Sequence, residues 1–510
     1  MTGRLLLAPS PRMTAGLAFA LAAASGLLAV ESPVLAVAFS ALVLGTLLVV
    51  VHPDFATLVV AGLLYSNAAV VAVRFHGVPS FATNFIPLLL VVPIAYHVLV
   101  RKQPLTFTSA FPFIVAFGIV QGLSTIDARE PAAAGLALET FLFEGIALYF
   151  IVTNAIRSFD TLRRIVWVLL AVGATLGALS ILQTASGTYR NDYFGFAQSG
   201  NPDTLEETLE RQRRAAPGEI VQPRLAGPIG EENRYAQILL VLLPLGLFRY
   251  WNERSRPLKL LAGGMTAVTG VGAALALSRG AALAVALTLL VMAARRYVSI
   301  RQLAAVILGF ALIVAFIPAY QERVASLAGL PATGLQQGGE NAPDGAVRGR
   351  AGEMAAAALV AADYPILGVG PGNFPFYYPD YAERVGLLVH AGYREAHSLY
   401  LDILAETGAV GLFCFLAAVF VTLRDLNRAR RRWHVTKPEI ANTAVAFELA
   451  VVAQLATGLF LQHSYIRYFW LVMALAGAAA WLALREPGAP EAVASDSARP
   501  FVRGRSRPSV

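Results

Sequence analysis

Cysteine and charged residues are scarce in this chain of 510 residues. The single cysteine, Cys414, excludes an intramolecular disulfide and any metal or iron–sulfur site built from several cysteines. Charged residues make up 14 % of the chain, against about 25 % in an ordinary soluble domain, which argues against a soluble enzyme. Hydrophobic residues make up 57 % and the mean hydropathy is +0.61, so the composition favours burial over disorder.

Long apolar runs recur along the chain. A helix needs about 20 mostly apolar residues to cross a bilayer, and runs of this kind predict about 14 transmembrane helices. The first run is not followed by a small-residue cleavage site and soluble sequence, so it is predicted to be a retained span rather than a signal peptide. The predicted spans are 14–30, 34–51, 56–73, 82–100, 107–124, 136–155, 164–182, 235–250, 258–277, 280–296, 302–319, 400–422, 440–462 and 465–484.

The distribution of basic residues predicts the orientation. If both termini are cytoplasmic and the spans alternate, the inner segments hold 25 of the 40 Arg and Lys residues, whereas the short outer connections hold four. Such an excess in short cytoplasmic loops is the usual bias of membrane proteins. The net charge of +8 then reflects orientation in the membrane and does not require nucleic-acid binding. The sequence therefore predicts an all-α polytopic membrane protein with both termini in the cytoplasm.

Two long polar segments interrupt the apolar pattern, and both are predicted to lie on the outer face. Loops of this length are usually functional or disordered, and the larger one is predicted to contain a helix over 351–362. The tail is rich in Pro, Ala, Ser and Arg and is predicted to be disordered. The predicted units are 1–183 with the N-terminal spans, the outer loop 184–234, the spans of 235–319, the large outer loop 320–398, the spans of 399–484 and the cytoplasmic tail 485–510.

Polar residues on the predicted outer face fall into four clusters. An arginine at a membrane edge often extends to lipid headgroups, but Arg279 lies between two apolar runs, on the side where positive charge is disfavoured. A guanidinium stays charged and binds phosphate oxygens through a planar fork, so two or three of them at one site would suit a pyrophosphate. The clusters are Arg224–Gly227 with Glu232–Arg234, Ser278–Gly280, Arg348–Arg350 with Gly368–Phe374, and Ala396–Tyr400 with Leu404–Gly411.

His397 is the candidate general base, because the pKa of a histidine lies near neutral pH. Its alternative is a structural histidine. Arg394 and Tyr400 lie three residues on either side, so the three side chains are predicted to share one helical face if they are helical. His390 and His463 are also on the outer side, but no ligand spacing supports a metal site with His397. No metal is therefore predicted.

Two further patterns have structural alternatives. The Gly368–Gly372 run lacks the strand–turn–helix context and the Gly-Lys-Ser/Thr of a nucleotide loop, which favours a tight turn. Acidic residues inside spans indicate either ion coupling or pairing with arginine. Glu406 is nine residues from His397 and would occupy the opposite face of a shared helix, so joint action is not expected. The acidic residues inside predicted spans are Glu139, Glu144, Glu406 and Glu448.

Together these clusters resemble the O-antigen ligase and polymerase superfamily of bacterial envelope glycosyltransferases. The resemblance covers roughly residues 224–415. It rests on Arg224, Gly227 and Asn233 before a span, the Ser278-Arg279-Gly280 edge, and Gly349-Arg350 before Pro365-Ile-Leu-Gly-Val-Gly-Pro-Gly-Asn-Phe374. The string His397-Ser-Leu-Tyr-Leu-Asp-Ile-Leu-Ala-Glu-Thr-Gly408 completes it. Met354 stands where relatives often carry Trp.

The resemblance implies a GT-C-like, metal-independent transferase of the bacterial inner membrane that uses no cofactor. Such enzymes move a glycan from undecaprenyl pyrophosphate to an acceptor hydroxyl on the periplasmic side. The acceptor is a lipid core, another carrier-linked glycan or a protein. By resemblance, Arg279 and Arg350 bind the pyrophosphate, with Arg348 as the alternative to Arg350, and His397 is the base. The predicted supporting residues are Arg224, Asn233, Arg394 and Tyr400.

A transporter or lipid-oligosaccharide flippase is the alternative, because such proteins also use 12 to 14 spans. Transporters place coupling charges along a central path and usually have short loops. Here the polar residues concentrate on one predicted face, which favours an enzyme that acts at that face. A scaffolding role stays open for the N-terminal half, where no motif is matched.

Overall fold

The computed structural model describes residues 52–80, 83, 86–200, 223–298, 301, 304, 308, 345–384, 394–462 and 466–488, with the side chains of 345–348 left out. The predicted spans 14–30 and 34–51 and, apart from isolated positions, the span 302–319 lie outside the described residues. The same holds for His390, His463 and the tail from residue 489 onward.

Helices make up the regular structure of these residues, apart from one isolated antiparallel bridge between Gln198 and Gly227. The helices are α1 Asp54–Tyr65, α2 Ala68–His76, α3 Ile86–Val100, α4 Phe111–Ser124, α5 Pro131–Ala155, α6 Phe159–Ser186, α7 Glu232–Asn252, α8 Arg256–Leu275, α9 Arg279–Ala294, α10 Gly345–Asp363, α11 Phe374–Arg384, α12 Leu399–Trp433, α13 Pro438–Thr457 and α14 Ile466–Arg485.

Six of these helices are long and apolar enough to cross a membrane: α5, α6, α8, α12, α13 and α14. A seventh span results if α1 and α2, which are bent by 58° at Ser66 and Asn67, are counted together. Helices α3, α4 and α9 are apolar but shorter. The chain is therefore a helical, multi-span membrane protein, as predicted. Each predicted span among the described residues coincides with a helix or with this bent pair, whereas the count of 14 stays a prediction.

The core lies around α13 and α14. The most apolar stretch of α14 is 89 % buried and that of α13 is 78 % buried, whereas that of α8 is only 17 % buried. Small residues permit the close packing, since a side chain at Gly173 or Gly177 of α6 would overlap α7 or α8. Association through small residues is typical of membrane helices, because lipid gives little hydrophobic drive for it. Helix α7 is thereby held between α6, α8 and α13.

Helix α12 is interrupted at Gly408, where the backbone is non-helical with φ 64° and ψ −171°. The loop that joins α10 to α11 crosses α12 at this break. The amide of Gly370 donates to the carbonyl of Glu406 at 2.9 Å, and the amide of Ala409 donates to that of Pro365 at 2.8 Å. The break thus ties α10 and α11, which come from the predicted large loop, to the N-terminal end of α12.

Candidate functional site

Four segments that are distant in sequence meet at one end of the helix bundle. They are the start of α7, the turn before α9, helix α10 and residues 394–398 before α12. Each carries one of the polar clusters identified in the sequence, and the side chains interact by contact or by charge. The structure therefore brings Arg224, Asn233, Arg279, Arg350 and His397 into one site.

Asn233 links two of these segments through its side-chain oxygen. Arg224 donates to Asn233 Oδ1 from Nη2 at 3.0 Å, and the Ser278 hydroxyl donates to the same oxygen at 2.9 Å. Arg224 Nε also donates to the carbonyl of Ala276 at 3.2 Å. Ser278 is the N-cap of α9 and accepts from the amide of Ala281, as capping serines do. The network fixes the turn from which Arg279 projects.

Glu231 caps the N-terminus of α7 and also contacts Asn233. Its carboxylate accepts from the amides of Asn233 and Arg234 at 3.1 and 2.7 Å and from Asn233 Nδ2 at 2.8 Å. The side-chain amide of Asn233 accepts hydrogen bonds through its oxygen and donates one through its nitrogen, so its orientation is fixed. The sequence named Arg224 and Asn233 as supporting residues, and the structure places them as the link between α7 and α9.

The cationic part of the site consists of Arg224, Arg279 and Arg350. Burial lowers the pKa of Arg350, and the positive charges of Arg224 and Arg279 lower it further. Glu231 and Glu353 act in the opposite direction. A guanidinium stays protonated despite such a shift. The shift indicates that three positive charges are close enough to repel one another, which an anionic ligand would relieve.

His397 and Glu353 form the second part of the site. His397 Nε2 lies 3.2 Å from Glu353 Oε2, and the Glu353 side chain is only 3 % exposed. Burial and, next in size, the positive charge of Arg350 lower the pKa of His397 to about 4. Burial also raises the pKa of Glu353, although Arg394 and Arg350 oppose that rise. The imidazole is therefore neutral near pH 7. Its Nδ1 is buried and makes no hydrogen bond within the described part of the chain.

The backbone of His397 is left-handed, with φ 46°. This conformation is unusual for a residue with a side chain and is often found at functional sites. It also prevents a helix at this position, and α12 begins only at Leu399. The prediction that Arg394, His397 and Tyr400 share one helical face is therefore wrong for the first two residues.

The two neighbours of His397 have different surroundings. Arg394 Nη1 lies 3.5 Å from Glu353 Oε1 and so belongs to the site. The Tyr400 hydroxyl donates to the carbonyl of Leu455 at 2.9 Å, which joins α12 to α13. This hydrogen bond gives Tyr400 a packing role. The side chain of Arg348 lies outside what the structure describes, so the choice between Arg348 and Arg350 stays open.

Glu395 is a further acidic residue of the site, which the sequence reasoning missed. Burial and, next in size, the negative charge of Asp402 raise the pKa of Glu395 to about 7. Gln462 donates from its side chain to the Glu395 carboxylate, and Arg234 donates to the Gln462 carbonyl. The same reasoning also missed Glu353. Glu353 lies three residues after Arg350, in the first turn of the helix predicted over 351–362, and this spacing was the available signal.

Three of the four acidic residues inside the predicted spans make structural contacts. Glu406 accepts from the amide of Phe374 at 3.3 Å, so it caps the glycine-containing turn. Glu144 lies 3.4 Å from Arg467, and Glu448 lies 3.1 Å from Arg295. The sequence left ion coupling and pairing with arginine as alternatives for acids inside spans, and the contacts of Glu144 and Glu448 are pairings with arginine. Glu139 lies on an exposed face of α5.

Among the described residues, no three His, Cys, Asp or Glu side chains are grouped so as to hold a metal ion. Because His390 and His463 lie outside that set, a site formed by them with His397 stays untested.

Comparison with known families agrees with the resemblance seen in the motifs. Residues 264–416 match the family model Wzy_C, O-antigen ligase, which confirms the family that the motifs indicated. The matched range contains Arg279, Arg350, Glu353 and His397, whereas Arg224 and Asn233 precede it. No curated protein matches the chain significantly.

Proposed function

From the O-antigen ligase domain at residues 264–416, we propose that this protein transfers a glycan from undecaprenyl pyrophosphate to an acceptor hydroxyl. The observation that carries the proposal is the meeting of the arginines with the His397–Glu353 pair in one site. One half of that site suits a diphosphate leaving group, and the other half suits removal of a proton from a hydroxyl.

The arginines act on the leaving group. As the bond between the sugar anomeric carbon and the phosphate oxygen breaks, negative charge develops on the diphosphate. We assign the stabilisation of that charge to Arg279 and Arg350, and the nearness of the Arg224 charge to Arg350 supports this assignment. One such preorganised contact is typically worth about 3 kcal/mol in the transition state. The resemblance assigns the same role to Arg279 and Arg350.

His397 acts on the acceptor. The His397 imidazole, held beside the Glu353 carboxylate and partly exposed, takes the acceptor proton while the acceptor oxygen bonds to the anomeric carbon and the diphosphate leaves. Glu353 then stabilises the imidazolium that results. A positioned base typically contributes about 10²–10⁴ in rate. Protons and charges balance without a metal ion or a cofactor, so we propose a metal-independent reaction.

The proposed setting is the bacterial inner membrane, with the site on the periplasmic side. The positive-inside distribution of Arg and Lys supports this orientation and the cytoplasmic location of both termini. We also propose the 14 spans and the GT-C-like architecture implied by the resemblance. The proposed units of the chain are those given above, which end at residues 183, 234, 319, 398 and 484. A lipid-linked donor explains why the catalytic site is built at the end of membrane helices.

The test is glycan transfer by the purified full-length protein from an undecaprenyl-pyrophosphate oligosaccharide, with and without EDTA. Three acceptor conditions are compared: none added, lipid core and peptide. Longer glycans from donor alone indicate a polymerase, product only with lipid core a ligase, and product only with peptide a protein glycosyltransferase. Loss of product in EDTA would contradict the metal-independent mechanism.

His397→Ala is the matched variant in every arm and is expected to give no product at an unchanged protein level. Normal transfer by this variant would remove His397 from the mechanism. No product in any arm, together with movement of the carrier-linked glycan across liposomes, would favour the transporter alternative.

A further inference from the structure

A cleft of about 110 Å³ lies at the end of the bundle opposite the His397 site. It is formed by the start of α6, the end of α7 and the start of α13. Helix α7 begins beside the catalytic site and ends at this cleft, and its 21 residues span about 30 Å at 1.5 Å per residue. The cleft is thus a separate site. Its apolar floor is formed by Phe159, Val166, Leu245, Phe248, Ile440 and Phe447.

Two arginines line the cleft above this floor. Arg249 is mostly buried and pairs with Glu253, but its Nε is buried and has no hydrogen-bond partner within the described part of the chain. Arg163 lies 3.7 Å from the same Glu253 and is half exposed. Glu253 lies beside the cleft, whereas Glu439 lines it and is paired with Arg254 at 2.9 Å. One carboxylate is therefore shared by two guanidinium groups, which leaves positive charge at the cleft.

The surrounding helix ends add to this charge. Helices α6 and α13 both begin at the cleft, and helix N-termini carry partial positive charge. Asp160 and Glu439 lie in their first turns, but each is paired with an arginine, Arg164 and Arg254 respectively. The cleft therefore combines an apolar floor with a cationic rim, which matches a molecule that has an acyl chain and an anionic head. A soluble anion would leave the apolar floor unfilled.

We propose that this cleft binds one acidic phospholipid. The phosphate contacts Arg163 and Arg249, and the first methylene groups of an acyl chain occupy the apolar floor. Guanidinium groups bind phosphate oxygens in a planar, bidentate manner. Basic pockets between membrane helices are known to hold lipid headgroups. In the orientation predicted from the basic residues, the bound lipid belongs to the cytoplasmic leaflet.

The test uses the full-length protein in phosphatidylcholine nanodiscs doped with phosphatidylglycerol, with bound lipid counted by native mass spectrometry and stability followed by thermal unfolding. Wild type is expected to retain one phosphatidylglycerol and to gain thermal stability from it. Arg163→Gln removes a cation that lines the cleft and is expected to weaken binding about tenfold. Arg164→Gln is the matched control, because Arg164 is 60 % exposed, pairs with Asp160 and does not line the cleft.

A second variant tests the apolar floor. Ala446 lines the cleft and is buried, so Ala446→Leu fills part of the space and is expected to abolish retention of the lipid while both arginines stay. Equal retention by Arg163→Gln and Arg164→Gln would overturn the proposal. Equal retention of phosphatidylcholine would overturn it as well, since the cleft would then bind any lipid. Stabilisation by glycerol phosphate alone would overturn the proposal as well, because the cleft would then bind a soluble anion and not a lipid. If Ala446→Leu does not fold, the comparison of the two arginine variants decides.

Discussion

His397 Nε2 and Glu353 Oε2 lie 3.2 Å apart, although the two residues are 44 positions apart in the chain. Glu353 belongs to α10, whereas His397 sits in a left-handed turn before α12. The loop after α10 is fixed to α12 by backbone hydrogen bonds, which hold the carboxylate near the imidazole. The catalytic pair of the proposed reaction therefore depends on how the large loop packs on the membrane helices.

Replacement of Glu353 by glutamine tests this pair. The amide keeps the shape of the side chain but does not stabilise an imidazolium, so we expect kcat to fall about 10²–10³-fold with little change in KM. His397→Ala is expected to lose at least as much. The measurement is steady-state transfer with a fixed acceptor, and Glu383→Gln, an exposed acid outside the site, is the control. An unchanged kcat in Glu353→Gln would remove Glu353 from the mechanism.

The cationic half is tested by conservative changes. Lysine keeps the charge of Arg279 or Arg350 but lacks the planar fork, so each change to lysine is expected to lower kcat about 10-fold to 10²-fold. Arg279→Ala is expected to abolish transfer. Arg384→Lys is the control, because Arg384 is exposed and pairs with Asp363 outside the site. If the lysine variants match wild type, bidentate binding of the pyrophosphate is not required.

The pH dependence of transfer follows from the pKa of His397. Burial and Arg350 lower this pKa to about 4, and a general base works in its unprotonated form. Activity attributed to His397 is therefore present above this pKa and lost as the pH falls through it. We expect kcat/KM to be flat from about pH 5.5 to 7.5 and to fall only near pH 4. An acidic limb near the ordinary histidine pKa of about 6.5 would contradict the buried environment of His397.

The sequence was sufficient for the membrane helices among the described residues and for the basic residues of the site, but not for its acidic residues. Apolar runs of bilayer length identify membrane helices, and Arg279 was conspicuous because a charge between two apolar runs is costly. The pairing with Glu353 was missed because it depends on the packing of α10 against the turn before α12, a contact between distant segments. The helical placement of Arg394 was wrong because the sequence does not reveal the positive φ of His397.

Glu395 provides a test of stability against pH. Burial raises its pKa to about 7 in the folded protein, while the unfolded chain has the ordinary value of about 4.5. The folded state holds the proton more tightly, so this contribution to stability is present below about pH 4.5 and is lost as the pH rises through 7. Glu395→Gln does not titrate.

We therefore expect the melting temperature of Glu395→Gln, relative to wild type, to increase between pH 5 and pH 8, on the order of 1–3 °C. Differential scanning fluorimetry of both proteins at the two pH values measures this difference. Glu383→Gln serves again as the exposed control. A pH-independent difference would mean that Glu395 does not retain its proton in the folded protein.

Gly408 occupies a position where the fold leaves no room for a side chain. Its φ of 64° with ψ of −171° is accessible almost only to glycine, and a Cβ there would overlap the backbone of Ile366. Gly408→Ala is therefore expected to destabilise the protein by at least about 2 kcal/mol and to separate the loop after α10 from α12. Because this loop holds Glu353 near His397, transfer activity is expected to fall with stability.

Gly264→Ala is the control, since Gly264 is helical with open space around it, and alanine there favours the helix. Thermal unfolding and transfer assays of both variants make the comparison. Normal stability of Gly408→Ala would mean that α12 accepts a continuous helix, so that the crossing of the loop is not what positions the catalytic pair.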